Sequence, residues 1–482
     1  MFDKIERRYV MCKLQGINFG YADSEKELTE SPELFDSAFV DPKNYLSRLI
    51  DGISFLVLGR KGTGKTAYGA KLRRMSMVDP NYVVRPCPLS NLNYSAFESF
   101  AEQDVKGGRR FISVWKYLLF LEMVKLIDQS FPDHEKDDIS IFIQALKNYG
   151  ALPREDIVHT AKHLKTSNIS LSIPNFFSAE QGVEKDIVLC DIDEITEIGL
   201  KIFKEAYFGD KRFFLIIDGL DDALRGNQFS SDIITGLIRA ADYINTYLAH
   251  SAIHFKIIVL LRTDIFELCR DPDLTKMKRD VTINLSWNKD DLKEIVIKRI
   301  QNKYPQYKSF ESFWDAFAPQ MYKDKKSMTI LFELTLLRPR DILQFFIECQ
   351  NLYGNQSRIR LSDFTSVIAS YSKEYFISEM KDELTGILPD TIVTAIPSLF
   401  SELGKRTFFE EELQEIILPS GIDITARKLL ETLYQSGYIG QIRPREGGNR
   451  FVSFIHVNPY DKFSPKEKCI IHRGLVKAVN IF

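Results

Sequence analysis

The chain has 482 residues, and 64 Lys and Arg set against 66 Asp and Glu give a formal charge of −2. At 44% hydrophobic and 27% charged residues it lies near the average of globular proteins, which excludes a collagen-like, wholly disordered or supercharged polypeptide. Near-neutrality argues against gross nucleic-acid affinity, and no apolar run approaches the roughly 18 residues of a bilayer span.

Length suggests about three domains. Residues 1–50 read as a lead-in of short helix and turn signals, such as Asn18-Phe-Gly and Ser31-Pro-Glu. The opening Met1-Phe-Asp-Lys-Ile-Glu-Arg-Arg mixes both signs and lacks the apolar segment of a signal peptide. A soluble, cytoplasmic protein without a membrane partner is expected. Ile53–Leu58 then reads as a short buried strand, followed by Gly59-Arg60-Lys61-Gly62-Thr63-Gly64-Lys65-Thr66 and a helix over Ala67–Met75.

Those eight residues match G-x-x-x-x-G-K-[ST], and strand–loop–helix is the setting the chemistry needs. Glycines at 59, 62 and 64 let the backbone wrap a phosphate with its N–H groups inward. The new helix, beginning with Lys65, Thr66 and Ala67, offers unpaired N–H groups to the same anion. Lys65 is expected to reach the β- and γ-phosphates, and the Thr66 hydroxyl to hold Mg²⁺.

Tyr82–Val84 reads as the second strand. The chain between Lys65 and Asp218 is several times longer than the roughly 30 residues of one strand–crossover–strand unit, so an insertion over about residues 95–205 is expected. Within it, Phe111–Ile127 is apolar on most sides and reads as a buried helix, Ile139–Leu146 as a second helix and Thr166–Phe177 as a loop. The insertion reads either as a partner-binding element or as padding.

Lys211-Arg-Phe-Phe-Leu-Ile-Ile-Asp218 delivers a carboxylate to the end of an apolar strand, where open parallel sheets hold ligands. Asp218 is the candidate Mg²⁺-side acid. Of the following Gly219-Leu-Asp221-Asp222, Asp221 is the first candidate to polarise the attacking water, although the two acids also read as a helix N-cap pair. Phe255–Leu261 reads as a third strand ending in Arg262-Thr-Asp264. Arg262 fits a polar sensor of γ-phosphate or water, or a structural ion pair with Asp264 or Asp218. Val281–Leu285 reads as the last strand and Asp290–Ile300 as the helix after it. In Leu336-Leu-Arg338-Pro-Arg340-Asp-Ile-Leu343, Pro339 suits the first position of a helix whose Ile342, Phe345, Phe346 and Cys349 share a face.

Together these four patches resemble the AAA+-related P-loop ATPases, nearest to the STAND signalling NTPases and the origin-recognition-type initiators. The whole chain also resembles a bacterial P-loop ATPase family ending in His-Arg-Gly-Leu, present as His472–Leu475. The resemblance implies an α/β fold with a parallel-sheet core (51–288), a helical lid (289–385) and a winged-helix-like C-terminal domain (386–482). It implies ATP rather than GTP, a lead-in that folds over adenine, and Arg340 as the lid arginine on the γ-phosphate, although Arg340 also reads as a solvent-exposed arginine at the helix entry. Arg270 lies where such ATPases carry an arginine that completes a neighbour's site in a homo-oligomer, and otherwise reads as a surface arginine. Gly219 departs from the pattern, because most of these ATPases have a glutamate after the strand aspartate. A slow switch is therefore expected over a fast motor; the resemblance implies one that acts through a protein partner or effector, in signalling or antiviral defence, or alternatively an initiator-like DNA-binding ATPase that uses the winged helix.

Asp390–Leu403, Phe408–Ile417 and Ile424–Ser436 read as three helices, followed by strands Ile439–Ile442 and Arg450–Val457. This order resembles a winged helix. Residues 424–482 carry ten Lys and Arg against four Asp and Glu. Arg427, Lys428, Arg443, Arg445 and Arg450 fit either DNA phosphates or a packing role. The six scattered cysteines form no C-x-x-C pair or metal-ligand spacing and read as buried thiols of a reducing compartment.

Overall fold

The computed structural model describes residues 12–90, 107–131, 138–148, 152, 157–158, 171–174, 187–220, 231–445 and 448–481. They divide into two compact units. One comprises Lys43–Arg60 and Lys65–Leu285; the other takes the chain before Lys43, the short segment Lys61–Gly64 and everything from Ser286 onward. Each unit has its own apolar core.

The first unit is built on five strands: β1 (Leu56–Gly59), β2 (Tyr82–Pro88), β3 (Arg212–Asp218), β4 (His254–Arg262) and β5 (Thr282–Asn284). Their order is β2-β3-β4-β1-β5, and every neighbouring pair is parallel. The apolar runs Phe213–Ile217 and Ile257–Leu261 are fully buried, as befits strands covered on both faces. The strand before the glycine loop is shorter than its sequence suggests: Ile53 is 70% exposed and the ladder begins at Leu56. By contrast β2 runs four residues past Val84, through Pro86 and Pro88. Proline is read as a strand breaker, but β2 lies at the sheet edge, where a missing N–H is tolerated.

Helix α1 (Lys65–Val78) follows the loop and lies close against the sheet, since a Cβ at Gly69 would come within 3.2 Å of Ile216. From the insertion, α2 (Ile112–Ser130) is buried around almost its whole circumference. Its Trp115 donates to the carbonyl of Ile233, 2.9 Å away, in α3 (Ser231–Leu248). Phe120 fills the space a Cβ would need at Gly199, in the helix Ile192–Glu205. The helix is thus part of the core, as its apolar sequence predicts. The expected loop at Thr166–Phe177 contains a strand, Leu171–Pro174, antiparallel to Ile187–Cys190; its other residues lie outside the described ones.

In the second unit, residues 12–42 pack on α4 (Lys289–Gln301) and α5 (Pro339–Tyr353). Arg299 reaches Glu27 at 2.8 Å and Lys303 donates to the Gln15 carbonyl at 2.8 Å. A π-helical turn (Tyr371–Phe376) leads into α6 (Ile377–Leu384), then α7 (Asp390–Leu403), α8 (Glu410–Ser420) and α9 (Ala426–Gln435). Strands β6 (Thr407–Phe408), β7 (Ile439–Pro444), β8 (Arg450–Ser453) and β9 (Cys469–Ile471) form an antiparallel sheet in the order β6-β9-β7-β8. The two expected strands are present, the second ending at Ser453. β6 and β9 were not anticipated, being too short for a period-2 signal.

The His472–Leu475 motif closes this unit. His472 is buried and stacks on Phe376 at 5.1 Å. Its Nδ1 accepts from the Gly474 N–H at 3.1 Å, and Ser372 Oγ donates to the Gly474 carbonyl at 2.6 Å. Burial, with His456 and Arg406 nearby, holds the His472 imidazole well below its usual range, so it is neutral. The unfolded chain takes up a proton near its ordinary pKa of about 6.5, and the folded site does not. Stability is therefore expected to fall as pH drops below about 6.5, by up to about 1.4 kcal/mol per pH unit. Denaturant midpoints between pH 7.5 and 5 should show this slope, and His472→Gln should flatten it.

Several cysteine thiols are also buried and unpaired, and burial pushes that of Cys12 up to about 12. Among the described residues no helix is long and apolar enough to cross a membrane.

Candidate phosphate site and its loop

The C-terminal ends of the central strands bring the candidate residues of the first unit to one edge of the sheet. Register pairs Gly59 with Arg262 and Pro88 with Asp218. Lys65 and Thr66 begin α1. The Thr66 hydroxyl donates to Asp218 Oδ2 at 2.8 Å, across 152 residues of sequence. Lys65 is buried, and its ammonium curls back over the carbonyls of Gly59 (3.1 Å) and Arg60 (3.3 Å). An ammonium resting on loop carbonyls at the start of a helix is suited to an anion in that loop. Mg²⁺ takes one or two protein oxygens and completes its shell with phosphate and water, so the adjacent hydroxyl and carboxylate of Thr66 and Asp218 fit that ion.

Gly219 has an evident physical reason. Its φ of +82° is left-handed, and a Cβ would lie 2.5 Å from Ser90 Oγ and 3.0 Å from the Ser90 nitrogen. A glutamate there would be strained and would clash, so the usual base position is closed to any side chain. The Gly219 N–H instead donates to Asp218 Oδ1 at 2.7 Å. Asp221, the candidate base, lies outside the described residues. Arg262 is buried and makes a two-point ion pair with Asp264, at 3.0 and 2.5 Å, the structural alternative read for it from sequence. Glu122, on α2, was not singled out beforehand. It is buried, accepts from Arg85 Nε of β2 at 2.7 Å and from Lys125 at 2.7 Å, and its sequence signal is an acid in the middle of an apolar helix.

The loop tip Lys61–Gly64 belongs to the second unit. Gly62 (φ +78°) and Gly64 (φ +88°) are left-handed, as a wrapped loop requires. Thr63 is buried, and its carbonyl accepts from Trp287 Nε1 at 2.9 Å. Lys61 pairs with Asp382 and, at 3.7 Å, with Glu379. A Cβ on Gly62 would stand 3.4 Å from that of Arg340 and 3.6 Å from Arg338 Cδ.

The two arginines at the start of α5 differ sharply. Arg340, the sequence candidate, is partly exposed and pairs with Glu379 at 3.1 Å. Arg338 is 1% exposed. It grips Asp341 (2.9 Å) and Glu383 (2.9 Å) and donates to the Lys61 carbonyl at 3.1 Å. Burial alone would disfavour its charge, but Asp341 and Glu383 outweigh it and hold the guanidinium well above its ordinary range. In the C-terminal region, Arg443 pairs with Asp461 (3.1 Å) and Arg427 with Glu410 (2.7 Å). Arg445 lies over the Phe451 ring at 5.6 Å.

A family described as the FunZ-associated C-terminal helical domain matches residues 290–378. The chain is 22% identical over 474 residues to the putative transposon gamma-delta 80.3 kDa protein of Escherichia coli (strain K12), a match covering 91% of this chain. It spans 64% of that relative's length. Among solved structures, Aeropyrum pernix ORC2 (ADPNP–ADP complexes) shares 9% identity with a TM-score of 0.38, covering 93% of this chain and 92% of its own. A. pernix ORC1 in complex with DNA shares 15% at 0.34, covering 88% of each chain. Pyrobaculum aerophilum Cdc6p shares 12% at 0.26, covering 96% and 95%. Scores this low carry no argument. The fold rests on what the chain itself displays: a five-stranded parallel sheet with a glycine loop between β1 and α1, an α/β P-loop architecture of AAA+-like kind.

Proposed function

We propose that this chain is an ATP-binding, ATP-hydrolysing switch. The observation that carries the reading is the meeting of Thr66 and Asp218 at 2.8 Å beside the Lys65 ammonium. It brings one cation and two hard oxygen ligands to the loop where N–H groups can cradle a triphosphate. The backbone of Gly59–Ala67 binds the phosphates. Lys65 neutralises charge on the β- and γ-oxygens as the P–O bond to the leaving phosphate lengthens. Thr66 and Asp218 would hold Mg²⁺, which would supply Lewis-acid neutralisation of the phosphate charge there. Asp221 is the proposed base that orients the attacking water and Arg340 the lid contact taken from resemblance; Arg262 would act as a sensor only by leaving its ion pair with Asp264. With the position after Asp218 closed to a glutamate by Gly219, slow hydrolysis is the natural outcome, which suits a switch.

Such a switch would act through a protein partner, in the manner of STAND regulators in signalling or antiviral defence, and assembly into a homo-oligomer would let Arg270 serve a neighbouring site. A second reading, an initiator-like DNA-binding ATPase with a winged-helix end, is favoured by the C-terminal excess of basic residues. Arg443 and Arg427 are already engaged internally, so Arg445 and Arg450 carry that reading. Titration with fluorescent ATP tests the first: saturable binding strengthened by Mg²⁺, with slow phosphate release lost in Asp221→Ala, is expected. Absence of binding would overturn it. Duplex binding that weakens steeply with salt and is lost in Arg445→Ala/Arg450→Ala would establish the second.

A further inference from the structure

The loop tip of the second unit is gripped by a buried polar chain that reaches into the C-terminal sheet. Its first link is the Lys61 carbonyl, which accepts from Arg338 Nη1 at 3.1 Å. The same nitrogen donates to Glu383 Oε2 at 2.9 Å. That oxygen also accepts from the hydroxyl of Tyr438, at 2.7 Å. Tyr438 immediately precedes β7, and its own carbonyl accepts from the His472 N–H at 2.9 Å. The chain therefore runs from the glycine loop, through α5 and α6, to the His-Arg-Gly-Leu segment.

The surroundings fix it tightly. Asp341 is fully buried and accepts from Arg338, from the Leu336 N–H at 2.8 Å and from the Tyr375 hydroxyl at 2.8 Å. Leu337, just before the arginine, has a φ of +53°, a conformation that costs a non-glycine residue about 1 kcal/mol and persists only where its surroundings impose it. Arg338 and Tyr438 are both fully buried, and an arginine so committed to protein partners is placed to hold the loop backbone.

We propose that Arg338, Glu383 and Tyr438 are positioning residues for the phosphate loop, making nucleotide affinity depend on a tyrosine of the C-terminal module. Phosphate binding by backbone N–H groups demands a loop already in its wrapped shape, and the Lys61 carbonyl fixes the orientation of the peptide that supplies the Gly62 N–H. Loss of the Tyr438 hydroxyl leaves Glu383 with one fewer donor, Arg338 with a less constrained partner, and the loop tip with a softer anchor. The inference rests on the reading of this loop as the nucleotide site.

The test is titration of the full-length chain with a fluorescent ATP plus Mg²⁺, for wild type, Tyr438→Phe, Arg338→Lys and the double variant, with Lys65→Ala as a control and thermal melting in parallel. Each single variant is expected to weaken binding roughly threefold to tenfold, the scale of one hydrogen bond to a charged group partly transmitted. The double variant should be no weaker than the weaker single one, because both cut the same chain. Unchanged affinity in Tyr438→Phe, with or without a lowered melting temperature, overturns the proposal and leaves these residues a purely structural role, as do strictly additive losses. A wild type that binds no nucleotide would instead remove the reading beneath it.

Discussion

Lys65→Ala is expected to weaken MgATP binding and to lower phosphate release by at least about a hundredfold, the usual scale for removing one preorganised charge from a reacting centre. Lys65 is the first residue of α1, buried, with its ammonium over the Gly59 and Arg60 carbonyls. No elaborate rearrangement is needed for that group to turn from two carbonyl oxygens to a phosphate, which carries more charge. Alanine keeps the helix, being its best former, so the fold should survive and the loss should appear in binding and turnover. Fluorescent-ATP titration and a phosphate-release assay read both. Wild-type affinity and rate in this variant would mean that the loop is only a turn.

Arg338→Ala is expected to have the largest effect on stability, a loss of about 3–5 kcal/mol, as when one partner of a buried charge pair is removed. The guanidinium compensates both Asp341 and Glu383, and neither carboxylate can turn to water: both lie inside, at 0% and 5% exposure. Without Arg338, Asp341 keeps the Leu336 N–H and the Tyr375 hydroxyl, and Glu383 keeps Tyr438. Those neutral donors do not offset two buried negative charges, so the variant should either take up protons or open. Trp287 and Trp314 both lie in this unit, and their fluorescence in a denaturant series would report the loss. A midpoint equal to wild type would show the cluster to be far better hydrated than its burial implies. Arg340→Ala, removing a partly exposed pair with Glu379, should cost less than about 1 kcal/mol by the same measurement.

The contrast between these two arginines shows where sequence reasoning stops. Pro339 and the Ile342, Phe345, Phe346, Cys349 stripe locate α5 without ambiguity, because helix starts and periodic faces are local properties. Which of two flanking arginines turns inward depends on Asp341, on Glu383 more than forty positions later and on Tyr438 in another module. No local rule reads that. The strands ending in Asp218 and Arg262 were legible for the opposite reason, being unbroken apolar runs buried on both faces. In β2 the prolines hid half the strand, since their cost depends on whether a neighbour needs the missing donor. The Thr66–Asp218 meeting follows from motif logic, whereas the Arg262–Asp264 pair was one of two readings that spacing alone left open. Glu122 and Arg85 escaped because their meeting joins a strand to an inserted helix.

The two prolines of β2 have a consequence beyond their own strand. Pro86 and Pro88 have the same parity, so both lack a donor on the same side of the backbone. The ladder to β3 nevertheless runs the full length to the Pro88–Asp218 pairing, which means the donors of the opposite parity serve it. The prolines therefore remove the outward donors from the second half of β2, while Tyr82 and Val84 keep theirs, and a stray extended segment from another molecule finds fewer partners there. Fewer donors at the edge of this sheet leave less for edge-to-edge pairing with another molecule.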